Sequence, residues 1–300
     1  MLDNGTADSY HPGFQGAIPM AVKTTPVGFI GLGRMGKPMA VNLVRAGFDL
    51  VVHDAREEAA RALTAAGARP AASPREAATD CEIVCVCVVD DRQVEDVVAG
   101  PRGILEGARP ETIVAIHSTI SPQTALRLAG LAASKGVRVV DAPISGGEAG
   151  ARQKSLCYMV GGDGAAVARC REVFAASAAE VFHLGALGSG AAAKMIVQVA
   201  TCIDMLAAHE AELLAAEWGL DFAAMQKVLR ASSGQSFVAE HWLDRFKLAG
   251  DPMEIRRRRT EVFQKSLGPA LALAKELGLS LPGASLAERL LPRIMGVEEK

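Results

Sequence analysis

The sequence predicts an α/β protein with a doubly wound, mainly parallel sheet, followed by one long helix and an all-helical C-terminal part. Three observations predict it. Across residues 26–183, short apolar runs alternate with amphipathic segments, the pattern of a parallel sheet covered by helices on both faces. Residues 191–218 contain no Gly or Pro and are rich in Ala, Leu, Met and Glu, which sustains a single helix about 40 Å long. After Gly219 the pattern is helical to the end, punctuated by Gly and Pro.

The elements follow in order. The apolar run 27–30 reads as a strand, Gly31-Leu32-Gly33-Arg34-Met35-Gly36 as a turn, and 37–46 as a helix stopped by Gly47. A second strand, 50–53, ends at Asp54. Helices over 57–66, 94–99, 122–135 and 164–176 then alternate with strands over 82–89, 112–116, 137–141, 156–161 and 181–183. The helical part contributes segments near 222–231, 237–246, 261–277 and 284–295. Residues 1–24 lack a charged start followed by an apolar stretch and read as a flexible tail rather than a signal peptide. The expected division is a tail over 1–24, a sheet domain over 25–187, and the long helix with a helical domain over 188–300.

Composition narrows the function. Three hundred residues suffice for two domains, and 50% hydrophobic with only 4% aromatic content makes the core one of Ala, Val and Leu. A net charge of -2 excludes a general field that would recruit nucleic acid or an anionic membrane surface. No apolar run reads as long enough to span a bilayer. The six scattered cysteines show neither metal-ligand spacing nor a disulfide framework, which predicts no metal and a reducing, cytoplasmic compartment. A helical domain of this size leaves an apolar face for a second subunit, so a homodimer or homotetramer is expected.

GxGxxG carries chemistry here because it sits between a strand and a helix. Its first Gly permits the tight turn, the second lets the backbone approach a pyrophosphate, and the third lets helix and strand pack closely. The helix start offers N–H groups and a positive dipole end to the phosphates. Asp54, 18 residues past Gly36, is placed to bond an adenosine ribose. An acid there favours NAD, while Arg56 keeps NADP open. Ligands of such sheets sit beyond the carboxyl ends of the strands, where His117-Ser118-Thr119 and Asp141-Ala142-Pro143-Ile144-Ser145-Gly146-Gly147 lie. Hydroxyls and bare glycine N–H groups suit a carboxylate, and Ser-Thr before a helix equally suits an ordinary cap. Lys194 is the one Lys or Arg in 191–218, set among Ala and Met-Ile-Val. It is either a snorkelling lysine or a functional one.

Taken together these motifs resemble the β-hydroxyacid dehydrogenase family, over nearly everything from Val27 onward. The residues Gly28-Phe29-Ile30-Gly31-Leu32-Gly33-Arg34-Met35-Gly36 look like its cofactor motif, and 141–147 like its substrate signature. Met159-Val160-Gly161-Gly162 and Gly188-Ser189-Gly190-Ala191-Ala192-Ala193-Lys194 are similar to two further blocks. The resemblance implies NAD, with NADP as the other choice, and a small carboxylate substrate. It makes Lys194 the general acid and base, assigns the carboxylate to Ser118, Gly146 and Gly147, and puts Thr119 and Lys265 near the cofactor. Gln198, one turn after Lys194, stands where many members carry Asn and is similar to the tartronate semialdehyde reductase branch. Lys154 replaces a usual glycine, Ser266 a usual acid, and His117 an acid or small residue. Two other readings compete. One is an imine reductase, whose relatives usually carry Asp or Tyr in place of the lysine. The other is a dinucleotide-binding sensor or scaffold without turnover. The basic run 256–259 is either a solvated surface or an attraction for a multiply charged substrate.

Overall fold

The row of apolar residues after Pro26 forms the central strand of a nine-stranded sheet in the computed structural model, which describes residues 23–247 and 250–298. The expected tail therefore lies outside the described residues, except that Lys23 and Thr24 already belong to the first strand. Strand β1 is Lys23–Ile30, helix α1 Gly36–Arg45, β2 Phe48–His53 and α2 Glu57–Ala65. Then come β3 Arg69–Pro70, α3 Pro74–Ala78, β4 Ile83–Val86, α4 Asp91–Ala99, α5 Ile104–Gly107 and β5 Ile113–Ile116. They are followed by α6 Pro122–Ala133, β6 Arg138–Asp141, β7 Ile144–Ser145, α7 Gly147–Gln153, β8 Leu156–Gly161, α8 Gly164–Ala175 and β9 Ala178–Gly185.

The sheet runs β3-β2-β1-β4-β5-β6-β8-β7, with β9 against the other side of β8. Strands β1 to β6 pair in parallel, whereas β8 lies antiparallel to β6 and β7, and β9 runs parallel to β8. Because side chains alternate along a strand, each buried strand feeds two cores. Phe29, Cys85, Ala115 and Val140 enter one hydrophobic cluster, and Ile30, Val84, Val114 and Val139 the other. Such two-sided burial explains why these strands read as continuous apolar runs.

Beyond the sheet, α9 spans Ser189–Trp218, 30 residues, and packs against α12, Met253–Glu276, and α13, Pro282–Ile294. Between them lie α10, Phe222–Arg230, and α11, Phe237–Glu240. Cys202, Met205, Trp242, Leu267, Leu291 and Ile294 are buried together as a third core. The helix expected over 237–246 is in fact broken, with α11 giving way to a π-helical turn, Trp242–Phe246. By length and composition α9 is apolar enough to cross a membrane, with a mean hydropathy of 1.5 over its most apolar window. That corrects the expectation that no run reaches such a length. The same composition serves a helix that packs against β8, α12 and α13.

Candidate active site

Parallel register brings the strand ends into one row. Ile30 pairs with His53 on one side and Val86 on the other, Val86 with Ile116, and Ile116 with Asp141. The chain segments that follow these residues therefore share one edge: Gly31–Gly36 (residues 31–36), Asp54, Asp90, His117 to Thr119 (117–119), and the 141–147 loop. This is the carboxyl edge at which doubly wound sheets bind their ligands.

The glycine turn fits a dinucleotide. At Gly31, φ is +93°, and a Cβ would collide with the Cys87 carbonyl; at Gly36 it would collide with the Gly31 carbonyl. At Gly33, by contrast, a Cβ would meet nothing within 4 Å, so that backbone borders open space of the kind a pyrophosphate needs. Met35, at the start of α1, receives no side-chain cap. The N–H groups of Gly33, Arg34 and Met35 have no partner among the described residues. Asp54 takes the Leu32 N–H at 2.7 Å and the Arg56 N–H at 2.9 Å, and its carboxylate lies 3.5 Å from the Arg56 guanidinium. The acid thus braces the turn it was expected to serve, with Arg56 beside it. Arg34, largely exposed, pairs with Glu148 of α7 at 3.1 Å and ties the glycine turn to the helix that follows Gly146.

Ser118 is buried, and its Oγ accepts the Val88 N–H at 2.8 Å, stitching the ends of β5 and β4; Thr119 beside it is half-buried. His117 points the other way. It packs against Phe29, Tyr158 and Phe174, its Nδ1 lies 3.0 Å from the Ala142 carbonyl, and burial pushes its pKa down to about 4. It is a neutral core residue. The 141–147 loop is more structured than a loop: Ile144 and Ser145 pair with Tyr158 and Cys157, and Gly146 and Gly147, at φ +129° and +64°, turn the chain into α7. Gly147 is exposed, and a Cβ on Gly146 would press on Leu156. Lys154, where a glycine was expected, ends α7 with φ 57° and ψ 36°, the left-handed conformation that glycine adopts without cost.

Asp141 was read only as the first residue of a signature, and its position shows a structural task. Fully buried, it accepts the Gly188 N–H at 2.8 Å and the Ala191 N–H at 2.6 Å, fastening the start of α9 to the end of β6. The approach is so close that a Cβ on Gly190 would collide with the Met159 carbonyl. A single acid directly after Val139 and Val140 was the available signal. Lys194 follows Ala191 by three residues and so lies on the face that Asp141 holds. It is half-buried, and its ammonium makes no hydrogen bond or ion pair among the described residues. Desolvation lowers its pKa to about 8, opposed only by Cys157 of β8. Cys157 is a neighbour that sequence reading missed; burial, then Glu180, raises its own pKa. Gln198 lies four residues on, buried, and its side-chain amide has no hydrogen bond among the described residues.

Lys265 of α12 reaches the same edge. Its Nζ lies 2.9 Å from Asp90, which also caps α4 by accepting the Gln93 N–H at 2.9 Å. Those bonds, the cap first, hold the Asp90 carboxyl below its usual range. Ser266 turns away to the Val262 carbonyl of its own helix. The basic run lies elsewhere, along the first turns of α12. No group of three or more His, Cys, Asp or Glu able to hold a metal occurs among the described residues.

Comparison with known proteins agrees with this geometry. Residues 26–185 match the family model described as the NAD binding domain of 6-phosphogluconate dehydrogenase. Residues 188–298 match the model described as NAD-binding of NADP-dependent 3-hydroxyisobutyrate dehydrogenase. The chain is 33% identical to 2-(hydroxymethyl)glutarate dehydrogenase of Eubacterium barkeri, over 92% of this chain and 91% of that one. It is 34% identical to 3-hydroxyisobutyrate dehydrogenase of Pseudomonas aeruginosa, over 89% and 91%. Among solved structures, the 3-hydroxyisobutyrate dehydrogenase of Mycobacterium tuberculosis with L-serine superposes with a TM-score of 0.76, at 30% identity, over 91% of this chain and 94% of that one.

Proposed function

The chain belongs to the β-hydroxyacid dehydrogenase family, NAD(P)-dependent oxidoreductases of hydroxyacids, and from that premise we propose that Lys194 is its general acid and base. The substrate is a small β-hydroxy acid or its semialdehyde. NAD(P), when bound, supplies or takes the hydride. The division proposed is a cofactor domain over 25–187 and the long helix with the helical domain over 188–300.

The observation that carries this reading is Lys194 itself, a half-buried cation with no counter-ion among the described residues, its pKa lowered by burial to about 8. During reduction its ammonium donates a proton to the carbonyl oxygen; during oxidation its neutral amine takes the hydroxyl proton. A lysine with an ordinary pKa would be almost wholly charged near neutrality, so desolvation supplies the neutral fraction that oxidation needs. Ser118, Gly146 and Gly147 hold the substrate carboxylate, with Gln198 offering an amide one turn from the reacting oxygen. Gly31, Leu32, Gly33, Arg34, Met35 and Gly36 cradle the phosphates, Asp54 takes the ribose, and Thr119 and Lys265 border the nicotinamide end. Asp54 favours NAD over NADP, and Arg56 beside it softens the preference. Six free cysteines support a reducing, cytoplasmic compartment. Ile196, Leu214 and Trp218, exposed along α9, support assembly into a homodimer or homotetramer.

Lys194→Ala should lower kcat by about 10²- to 10⁴-fold, the usual worth of a positioned acid or base, while NADH fluorescence titration shows unchanged binding. Undiminished turnover would remove the lysine from the mechanism. Following NADH and NADPH formation with 3-hydroxyisobutyrate, glycerate, threonate, 4-hydroxybutyrate and serine identifies the substrate and the preferred cofactor.

A further inference from the structure

Eighteen residues beyond Lys194, about 27 Å along α9, Glu212 faces a cavity of about 140 Å³ in the helical part. The charged side chains around it are Glu212, Lys247, Asp251, Arg256 and Arg259. Most of that charge cancels. Glu212 lies 2.6 Å from the Lys247 ammonium, and Asp251 lies 2.7 Å from the Arg259 guanidinium, a pair with side chains only 17% and 22% exposed. Arg256 is left over: it is half-buried, and its guanidinium makes no ion pair or hydrogen bond among the described residues, although its backbone bonds Pro252 and Thr260 within α12. Of the basic run, Arg257 and Arg258 are exposed, and Arg258 pairs with Glu254.

A half-buried guanidinium whose side chain has no partner among the described residues costs free energy that a bound anion would recover. One unpaired positive charge suits one negative charge, which excludes a multiply charged ligand. The volume, well below the roughly 300 Å³ at which drug-sized pockets begin, suits only a few heavy atoms. Phe246 and Met295 supply an apolar wall. A guanidinium opposite such a wall matches a carboxylate carrying a short hydrocarbon chain, since the planar fork binds a carboxylate through two parallel hydrogen bonds.

We propose that the Arg256 cavity is a second binding site, separate from the catalytic cleft, for a short-chain monocarboxylate. The molecule carries its own reporter. Trp242 is fully buried and donates its indole N–H to Glu212 at 2.9 Å, whereas the chain's other tryptophan, Trp218, is exposed on α9.

The test uses the full chain with Trp218→Phe, so that Trp242 alone emits. Sodium butyrate is titrated at constant ionic strength, with sodium chloride and sodium phosphate in parallel arms. Butyrate should shift the Trp242 emission saturably, with chloride and phosphate silent. Arg256→Gln should weaken that response about tenfold or more, the scale of one charge-assisted pair, and Arg257→Gln should leave it intact. Leu243→Phe, which fills the cavity without touching its charges, should abolish the response, and it decides the matter if circular dichroism shows Arg256→Gln unfolded. A saturable response that survives Arg256→Gln or Leu243→Phe, the absence of any response to butyrate, or saturation by phosphate instead would overturn the proposal. Because the readout is Trp242 emission rather than turnover, failure of the dehydrogenase reading leaves this result unaffected.

Discussion

Helices α1 and α9 both begin at a glycine-rich turn directly after a strand, and the two starts are finished in opposite ways. At α1 the N–H groups of Gly33, Arg34 and Met35 have no partner among the described residues, and none of those residues comes near a Cβ at Gly33. At α9 the corresponding groups, Gly188 and Ala191, are sealed by the buried Asp141 carboxylate. The same local sequence grammar therefore leaves an open helix start in one place, where we propose the phosphates bind, and builds a structural joint in the other. What decides is whether the protein itself supplies the anion.

Exchanging the two fates should break the comparison. Asp141→Ala leaves two buried N–H groups unsatisfied, so it should cost about 3 kcal/mol or more of stability in urea unfolding; a loss below about 1 kcal/mol would deny the joint its importance. Gly33→Asp does the reverse, adding a carboxylate where none exists. With nothing near its Cβ the fold should hold, with unfolding changed by less than about 0.5 kcal/mol, while NADH affinity falls about 100-fold. Normal NADH binding by this variant would mean that the α1 start is not where the phosphates sit. The pH profile sharpens the α9 side. With burial lowering the Lys194 pKa to about 8, the proposed acid and base role predicts that oxidation rises up to that pH and reduction falls above it, each about tenfold per pH unit on its limb. Profiles with the two directions rising together would exclude Lys194 as the titrating group. The smallest effect is expected away from both helix starts. Lys154→Gly relieves the left-handed residue ending α7 and should stabilise the protein by about 1 kcal/mol, without altering activity.

These contrasts also show what could be read from the chain. The glycine turn, the alternation and the long helix were legible because each depends on neighbours a few residues apart. The fastening of α9 was not, since Asp141 meets its partners 47 and 50 residues later. Strand β7 is two residues long and exists only because Tyr158 and Cys157 pair with it. The break in the 237–246 helix accompanies the fully buried Trp242 and its bond to Glu212, 30 residues away. The resemblance marked Lys194, but its isolation from counter-ions, and so its lowered pKa, came from the packing of α9 on β8. Lys154 is the instructive departure: the sequence flagged a missing glycine, and the backbone still adopts the glycine's conformation.

Asp90 and Lys265, 175 residues apart, meet beyond the carboxyl end of β4 with about a third and a half of their side chains exposed. A contact so open to water is worth at most about 1 kcal/mol and weakens with salt. At that strength it is parted in about one molecule in six at any instant. The contact is thus a turnstile rather than a bolt: how often it parts is set by the electrolyte around the protein, so added salt alone loosens the join between α12 and the end of β4.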